Sequence, residues 1–129
     1  MFTSVKGLPF YFQSIILTNI IFYALLIPAA FLYPGYSPFK YTVSALGNTT
    51  KNPNGWFLFS ICLILMAIVL IPFIIGTKKW YLNQVSVKKF IIPIQIIGVF
   101  NSFAMIMIAI NPTDRASAQH NFWSLVNFL

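Results

Sequence analysis

Charged side chains are scarce in this sequence, and their scarcity limits the class of protein. Of 129 residues only 7% are charged, whereas 59% are hydrophobic, and the mean hydropathy is +0.84. Soluble domains carry about 25% charged residues, because they must present a hydrated surface. The chain therefore has too few charges to form a water-soluble domain. Its length allows a single domain, which we place at residues 1–129.

Acidic, histidine and cysteine side chains occur once each, as Asp114, His120 and Cys62. A lone cysteine cannot form an intrachain disulfide. A zinc site needs at least three protein ligands, and these three residues are a poor set for one, so we expect no metal and no cofactor. The net charge of +7 does not indicate nucleic-acid binding, because the lysines flank apolar runs and do not gather on one soluble face.

Long apolar runs are what the sequence has in abundance. A membrane-spanning helix needs about 20 such residues, so the runs predict helices at residues 10–33, 56–76 and 90–110. A fourth helix is expected from 120 to 129 and onward. The first run is too long for a secretory signal peptide and lacks a suitable cleavage site, so we interpret it as a retained helix. The sequence predicts an all-α integral membrane protein with three complete transmembrane helices and the start of a fourth.

The basic residues predict how this multi-pass chain is oriented. One side of the membrane would hold five of them, namely Lys6, Lys78, Lys79, Lys88 and Lys89. The other side would hold three, namely Lys40, Lys51 and Arg115. Because cytoplasmic loops are enriched in Lys and Arg, the N-terminus and the Lys78–Lys89 loop are expected in the cytoplasm. The loops around residues 34–55 and 111–119 would then both face outward.

The first outer loop has the pattern of a short interfacial helix at residues 38–46. Ser37 can cap it, and a proline follows at the first helical position. Phe39, Val43 and Leu46 recur at helical spacing and would form an apolar face at the membrane surface. The alternative is a packed connector with no further role.

The second outer loop concentrates the ionisable chemistry. It contains Asp114 and Arg115, and Thr113 is placed to cap the turn that follows. His120 enters the membrane at the start of the fourth helix, and a titratable group at that depth is a candidate functional residue. The structural alternative is that Asp114 and His120 hydrogen-bond one outer loop to the other.

Polar residues inside the predicted helices favour packing over transport. Gln95 and Asn101 are costly in lipid and should face other helices. Gly98 and Ser102 form a small-x-x-x-small pair that permits close approach of helices. No charge lies within the three complete helices, which disfavours a channel or carrier.

Several short motifs resemble the prokaryotic "domain of unknown function" 998 membrane family. They are PGYSPFKYTVSALG at 34–47, GWFLF at 55–59, and Pro-x-Asp at 112–114 with a histidine a few residues later. The closing pattern is similar to that of the Frag/DRAM/Sfk membrane proteins. The resemblance implies a bundle of about six helices. It also implies a set of characteristic residues at Pro34, Gly35, Tyr36, Ser37, Ser44, Gly47, Asp114 and His120.

That resemblance implies little chemistry, although some eukaryotic relatives are linked to lipid remodelling or distribution. The first hypothesis is a protein that binds membrane lipid or a small ligand between its outer loops. The candidate binding residues are Tyr36, Ser37, Ser44, Asp114 and His120.

Two alternatives stay open. One is a small accessory subunit, in which other membrane subunits or further copies of the chain cover the helices. The other is a membrane-embedded lipid-modifying enzyme, because a serine, a histidine and an aspartate lie on one side. The sequence contains no nucleophile elbow, so a function without catalysis is favoured.

Overall fold

The computed structural model describes residues 9–79 and 85–128, and α-helices dominate this part of the chain. The four helices are α1 (Phe10–Leu32), α2 (Trp56–Gly76), α3 (Val85–Ile110) and α4 (Ser117–Phe128). The first three are long and apolar enough to cross a membrane. The predicted fold class, an all-α membrane protein with three such helices and a shorter fourth one, is confirmed.

The outward faces of the helices explain why the chain belongs in lipid. Ile20, Ile68 and Ile96 stand on three different helices, and each is more than half exposed. In water a continuous apolar surface of this kind would drive aggregation, whereas in hydrocarbon it is already in a suitable solvent. Lipid offers the backbone no hydrogen bonds, so the segments that carry these faces form helices, which satisfy their backbone groups internally.

Helices α1 and α2 pack side by side and run in opposite directions. Gly55 at the start of α2 packs against Leu32 at the end of α1, and Gly76 at the end of α2 packs against Tyr11 at the start of α1. The two helices are therefore in contact along their length. α2 lies between α1 and α3 in this arrangement.

Small and polar residues hold α3 against α2. Gly98 packs so closely on Ile74 that a Cβ atom added there would lie 2.9 Å from the Ile74 Cγ2 atom. Ser60 of α2 donates a hydrogen bond of 2.9 Å to the carbonyl of Ala109. Gln95 donates to the carbonyls of residues 74 and 75 at the end of α2, where helix carbonyls lack partners within the helix. Gln95 thus faces a neighbouring helix, as intramembrane amides should.

Helix α4 packs against α3 and runs antiparallel to it. The Asn127 side chain donates to the Asn101 carbonyl at 3.0 Å, and His120 lies beside the carbonyl of Asn111. The 12 residues of α4 rise about 18 Å, roughly three fifths of the hydrocarbon layer, which is about 30 Å thick. Residue 129, to which the fourth helix was predicted to extend, lies outside the described residues, as do 1–8 and 80–84.

Two helices begin earlier than predicted from hydropathy. The third begins at Val85 and not at residue 90, because the Val-Ser-Val-Lys-Lys segment contains no proline or glycine to stop a helix in the polar interface. The fourth begins at Ser117 and not at His120, and its first turn includes a hydrogen bond from the His120 amide to the Ala116 carbonyl. Hydropathy marks where a helix enters lipid, which need not be where its hydrogen bonding begins.

The interfacial helix predicted at residues 38–46 is corrected by the structure. Residues 38–40 form a turn, Thr42 is extended (φ −69°, ψ 159°), and a short 3-10 helix follows at Val43–Gly47. Ser37 contributes its backbone carbonyl to the turn and no side-chain cap. The break has a packing reason, because Leu46 and Gly47 must reach the buried ring of Phe59 on α2.

Candidate functional site

The two connections predicted to share one side of the membrane do meet at one end of the bundle. Loop 1 comprises residues 33–55 and joins α1 to α2, and loop 2 comprises residues 111–116 and joins α3 to α4. Residues of loop 1 and of the helices form an apolar cluster here, which includes Ala29, Tyr33, Leu46, Phe59 and Ile108. We call this region the two-loop end.

The carboxylate of Asp114 joins loop 2 to loop 1. Its Oδ1 atom accepts the backbone N–H of Thr49 at 3.0 Å, and its Oδ2 atom accepts the Thr49 hydroxyl at 2.7 Å. Oδ2 also accepts the backbone N–H of Thr50 at 3.1 Å and the Thr50 hydroxyl at 2.8 Å. One side chain thus fixes two consecutive residues that lie 64 and 65 positions away in the chain.

These contacts keep Asp114 ionised. Desolvation by itself would raise the pKa of the carboxyl group, but the hydrogen bonds from Thr49 and Thr50 outweigh it and hold the pKa well below its ordinary value. A carboxylate that already accepts four hydrogen bonds is occupied in joining the loops. This supports the structural interpretation of Asp114 and leaves it poorly placed to act as a base.

The segment that meets Asp114 is a compact turn organised by Asn48. The Asn48 Oδ1 atom accepts the N–H groups of Thr50 at 3.0 Å and Lys51 at 2.7 Å, and the Asn48 carbonyl accepts the N–H of Asn52 at 2.9 Å. Asparagine favours such turns because its side chain can mimic a backbone carbonyl. The turn directs the N–H groups of residues 49 and 50 toward loop 2.

Asn52 is a polar residue of loop 1 whose side chain is fully buried, and no sequence motif marks it as important. Its Nδ2 atom donates to the carbonyls of Ala29 at 3.1 Å and Leu46 at 2.9 Å, so it ties α1 to the 3-10 helix. Gly55 is required beside it, because a Cβ atom there would lie 2.6 Å from the Asn52 Oδ1 atom. The only signal in the sequence is that residues 48–54 contain several asparagine side chains, more than a simple turn needs.

His120 is 2% exposed and has one hydrogen-bonded ring nitrogen. Its Nδ1 atom lies 2.7 Å from the carbonyl oxygen of Asn111. Because a carbonyl oxygen only accepts, Nδ1 must carry the hydrogen, and in the neutral ring the lone pair is then on Nε2. Nε2 is buried and has no hydrogen-bond partner among the described residues. The histidine therefore presents an unused acceptor at the two-loop end.

Two further buried polar atoms in the described part of the chain lack a partner, and both belong to the loops. They are the Oδ1 atom of Asn52 and the hydroxyl of Thr113. Thr113 was expected to cap the turn after it, but its hydroxyl makes no such bond. Folded proteins pair nearly all of their buried polar groups, so three unpaired atoms around one end of the bundle distinguish that end chemically.

The other candidate residues lie in loop 1. Tyr36 stacks on Tyr41, with ring centroids 6.3 Å apart, and packs edge-on against Tyr33 at 5.5 Å. Ser37 and Ser44 are half-buried, and Ser44 lies within the 3-10 helix. Neither serine hydroxyl makes a hydrogen bond with His120 or Asp114 in the described structure.

A catalytic triad is not assembled from these groups. Within residues 9–79 and 85–128 no hydrogen bond or ion pair joins Asp114 to His120. No three metal-ligating side chains of His, Cys, Asp or Glu come together in the same part of the chain. Asp114 and His120 therefore have different roles: the Asp114 carboxylate joins the two loops, and His120 has a ring nitrogen without a hydrogen-bond partner in the described structure.

The family comparison covers this end of the molecule in full. A family model described as "Protein of unknown function (DUF998)" matches residues 16–129, which include both loops and most of the four helices. The chain belongs to this family. The predicted resemblance to the "domain of unknown function" 998 family is thereby confirmed. A search of curated proteins and a search of solved structures gave no match.

Some of the residues by which the sequence resembles the DUF998 family have clear structural roles. Gly35 has φ +70°, a conformation that favours glycine, and Gly47 packs directly under the ring of Phe59. Asp114 joins the two loops. These three residues therefore have structural roles in this DUF998 protein, whereas the Nε2 atom of His120 has none within the described structure.

Proposed function

We propose that this DUF998 protein is a multi-pass membrane protein that binds a lipid headgroup or another small polar ligand at its two-loop end. His120 would be the central binding residue, with its Nε2 atom as hydrogen-bond acceptor. The observation that carries the proposal is a buried imidazole whose Nδ1–H is fixed by the Asn111 carbonyl and whose Nε2 lone pair is unused.

An unpaired acceptor in a buried position carries a free-energy cost that a ligand can relieve. Leaving such a group without a hydrogen bond costs about 1–3 kcal/mol. A ligand that places a hydroxyl, amide or ammonium group at Nε2 recovers that energy only when it is bound. The half-buried Ser37 and Ser44 would supply further polar contacts, and the Tyr36 ring an apolar wall.

Asp114 has a positioning role in this proposal. Its four hydrogen bonds fix the turn of loop 1 to loop 2, beside the helix that carries His120. The ligand contacts are assigned to His120 and loop 1, and Asp114 keeps the loops in the arrangement that those contacts require.

The two-loop end is proposed to face outward, with the N-terminus and the Lys78–Lys89 loop in the cytoplasm. The asymmetry of basic residues supports this orientation. The contact between loop 1 and loop 2 is consistent with it, because both loops must then lie on the same side of the membrane, and the basic residues alone select which side that is.

A direct test uses the fact that His120 is the chain's single histidine. The protein, carrying a histidine-free affinity tag, is labelled with ¹⁵N-histidine and placed in lipid nanodiscs for NMR. Phosphatidylcholine has no hydrogen-bond donor in its headgroup, whereas phosphatidylethanolamine has an ammonium group and the same net charge. We expect a protonated Nδ1, and an Nε2 resonance that shifts when phosphatidylethanolamine replaces phosphatidylcholine.

Matched variants and the remaining outcomes complete this test. In native mass spectrometry His120→Phe should lose the preference for phosphatidylethanolamine, whereas Asn121→Ala, which alters the next and exposed residue of α4, should keep it. An Nε2 resonance that is identical in both lipids contradicts the proposal. A resonance that shifts only with a co-purifying polypeptide would support the accessory-subunit alternative and refute the ligand site.

A further inference from the structure

A groove opens at the end of the bundle opposite the loops, between the start of α1 and the end of α2. Its volume is about 660 Å³, within the range of small-molecule sites. Its walls include Phe10, Tyr11, Ile71 and Pro72, and its rim includes Lys78 and Lys79. We propose that this groove binds an anionic phospholipid, with an acyl chain along the apolar wall and the phosphate group at the two lysines.

The apolar part of the groove lies on segments that are long and apolar enough to be in the membrane. Ile71 and Pro72 belong to α2, and Phe10 and Tyr11 to α1. Gly76 allows the Tyr11 side chain to pack directly on the α2 backbone, which brings the two helices together at the groove. A surface of this apolar composition suits an acyl chain better than a water-soluble molecule.

The rim of the groove carries positive charge that no acidic side chain compensates. Lys78 and Lys79 are both exposed and lie in the 3-10 helix Thr77–Lys79 that follows α2. The only acidic residue in the whole sequence is Asp114, which is bound to Thr49 and Thr50 at the other end of the bundle. The lysines therefore have to find their counter-charge outside the chain's own side chains.

Tyr11 positions one of these lysines at the groove. The Lys79 Nζ atom lies 5.6 Å from the centre of the Tyr11 ring, a cation–π distance, and Tyr11 is itself a wall residue. The ammonium group is thus held where the apolar wall ends. Basic pockets between helices at the membrane surface are suited to anionic headgroups, and an apolar wall beneath one selects an amphiphile over free phosphate.

The test compares lipid retention in native mass spectrometry, with equal amounts of phosphatidylglycerol and phosphatidylcholine added in mild detergent. Each lysine at the membrane surface should contribute about fivefold to the preference for phosphatidylglycerol. Because the contributions of two neighbouring lysines are only partly additive, replacing both Lys78 and Lys79 by glutamine should lower that preference roughly tenfold. The matched control replaces Lys40 and Lys51, which are exposed in loop 1, with the same change in net charge. That variant should keep the preference.

A second variant separates a defined site from general attraction to charge. Ile71→Trp fills the groove and leaves both lysines in place, so it should also lower phosphatidylglycerol retention. Circular dichroism and gel-filtration elution show whether each variant is folded. The proposal is overturned if the two double-lysine variants lose the lipid equally, if a folded Ile71→Trp variant retains it fully, or if the wild type shows no preference. Phosphatidylglycerol also carries hydroxyl groups that could donate to the His120 Nε2 atom, so the comparison is repeated in a His120→Phe background. There the Lys78 and Lys79 replacements should lower phosphatidylglycerol retention by the same factor, which separates this groove from the His120 site.

Discussion

Removing the Asp114 carboxylate should release loop 1 from loop 2. A hydrogen bond to a charged group contributes about 1.5–3 kcal/mol, but Asp114 and Thr50 are exposed, so water replaces much of what Thr50 loses. Thr49 is only 8% exposed, and without the carboxylate its N–H lacks a partner. An unpaired buried group costs about 1–3 kcal/mol, so we expect Asp114→Ala to lower the free energy of unfolding by about 2 kcal/mol.

Unfolding of the protein by sodium dodecyl sulfate in mixed micelles, followed by tryptophan fluorescence, measures this loss. Amide hydrogen exchange provides a local measurement, because a loss of about 2 kcal/mol should speed exchange at Thr49 about 30-fold. Asp114→Asn should lose less, since it keeps one acceptor oxygen. Arg115→Ala is the control, as its side chain makes no ion pair in the described structure. A loss below about 0.5 kcal/mol with unchanged exchange at Thr49 would refute the reasoning.

Acid should reproduce the effect of the substitution. Because the folded-state pKa of Asp114 is lowered, its contribution to stability is complete above the ordinary aspartate value of about 4. That contribution is lost as the pH falls from about 4 toward the lowered folded-state pKa. Asp114 is the only acidic side chain, so the wild type and Asp114→Ala should converge in stability as the pH falls below 4. A constant difference from pH 6 to pH 3 would contradict this assignment.

Two further predictions concern packing and orientation. Gly47→Ala places a Cβ atom 2.6 Å from the Phe59 Cδ1 atom, so it should destabilise the protein by about 1–3 kcal/mol in detergent unfolding, and Phe59→Leu should restore part of the loss. A neutral Gly47→Ala variant would contradict the packing of the 3-10 helix on α2. In a Cys62→Ala background, a membrane-impermeant maleimide should label Lys51→Cys in intact cells and Lys78→Cys only after lysis. The reverse pattern would refute the proposed orientation.

The fold class could be predicted from the sequence because it depends on composition and run length alone. Lipid cannot satisfy backbone polar groups, so an apolar run of sufficient length has to be helical whatever its neighbours are. Helix starts were harder to predict. Val85 begins α3 five residues before the apolar run, because hydropathy does not report hydrogen bonding in the polar interface.

The interfacial helix shows where local pattern was insufficient. Phe39, Val43 and Leu46 have helical spacing, yet Phe39 is 98% exposed while Leu46 is buried. The contact of Leu46 and Gly47 with the α2 side of the core decided the conformation, and periodicity within loop 1 carries no information about that contact.

The candidate site, like the fold, could be predicted only in part from the sequence. The sequence by itself identified Asp114 and His120, because they are the only acid and the only histidine in a chain that has little charge. It did not indicate that Asp114 binds Thr49 and Thr50, or that the Asn52 side chain in loop 1 is fully buried. Only the tertiary structure decided these contacts and the free Nε2 of His120. Side-chain hydrogen bonds between loops depend on where helix ends meet in space, and spacing along the chain does not record that position.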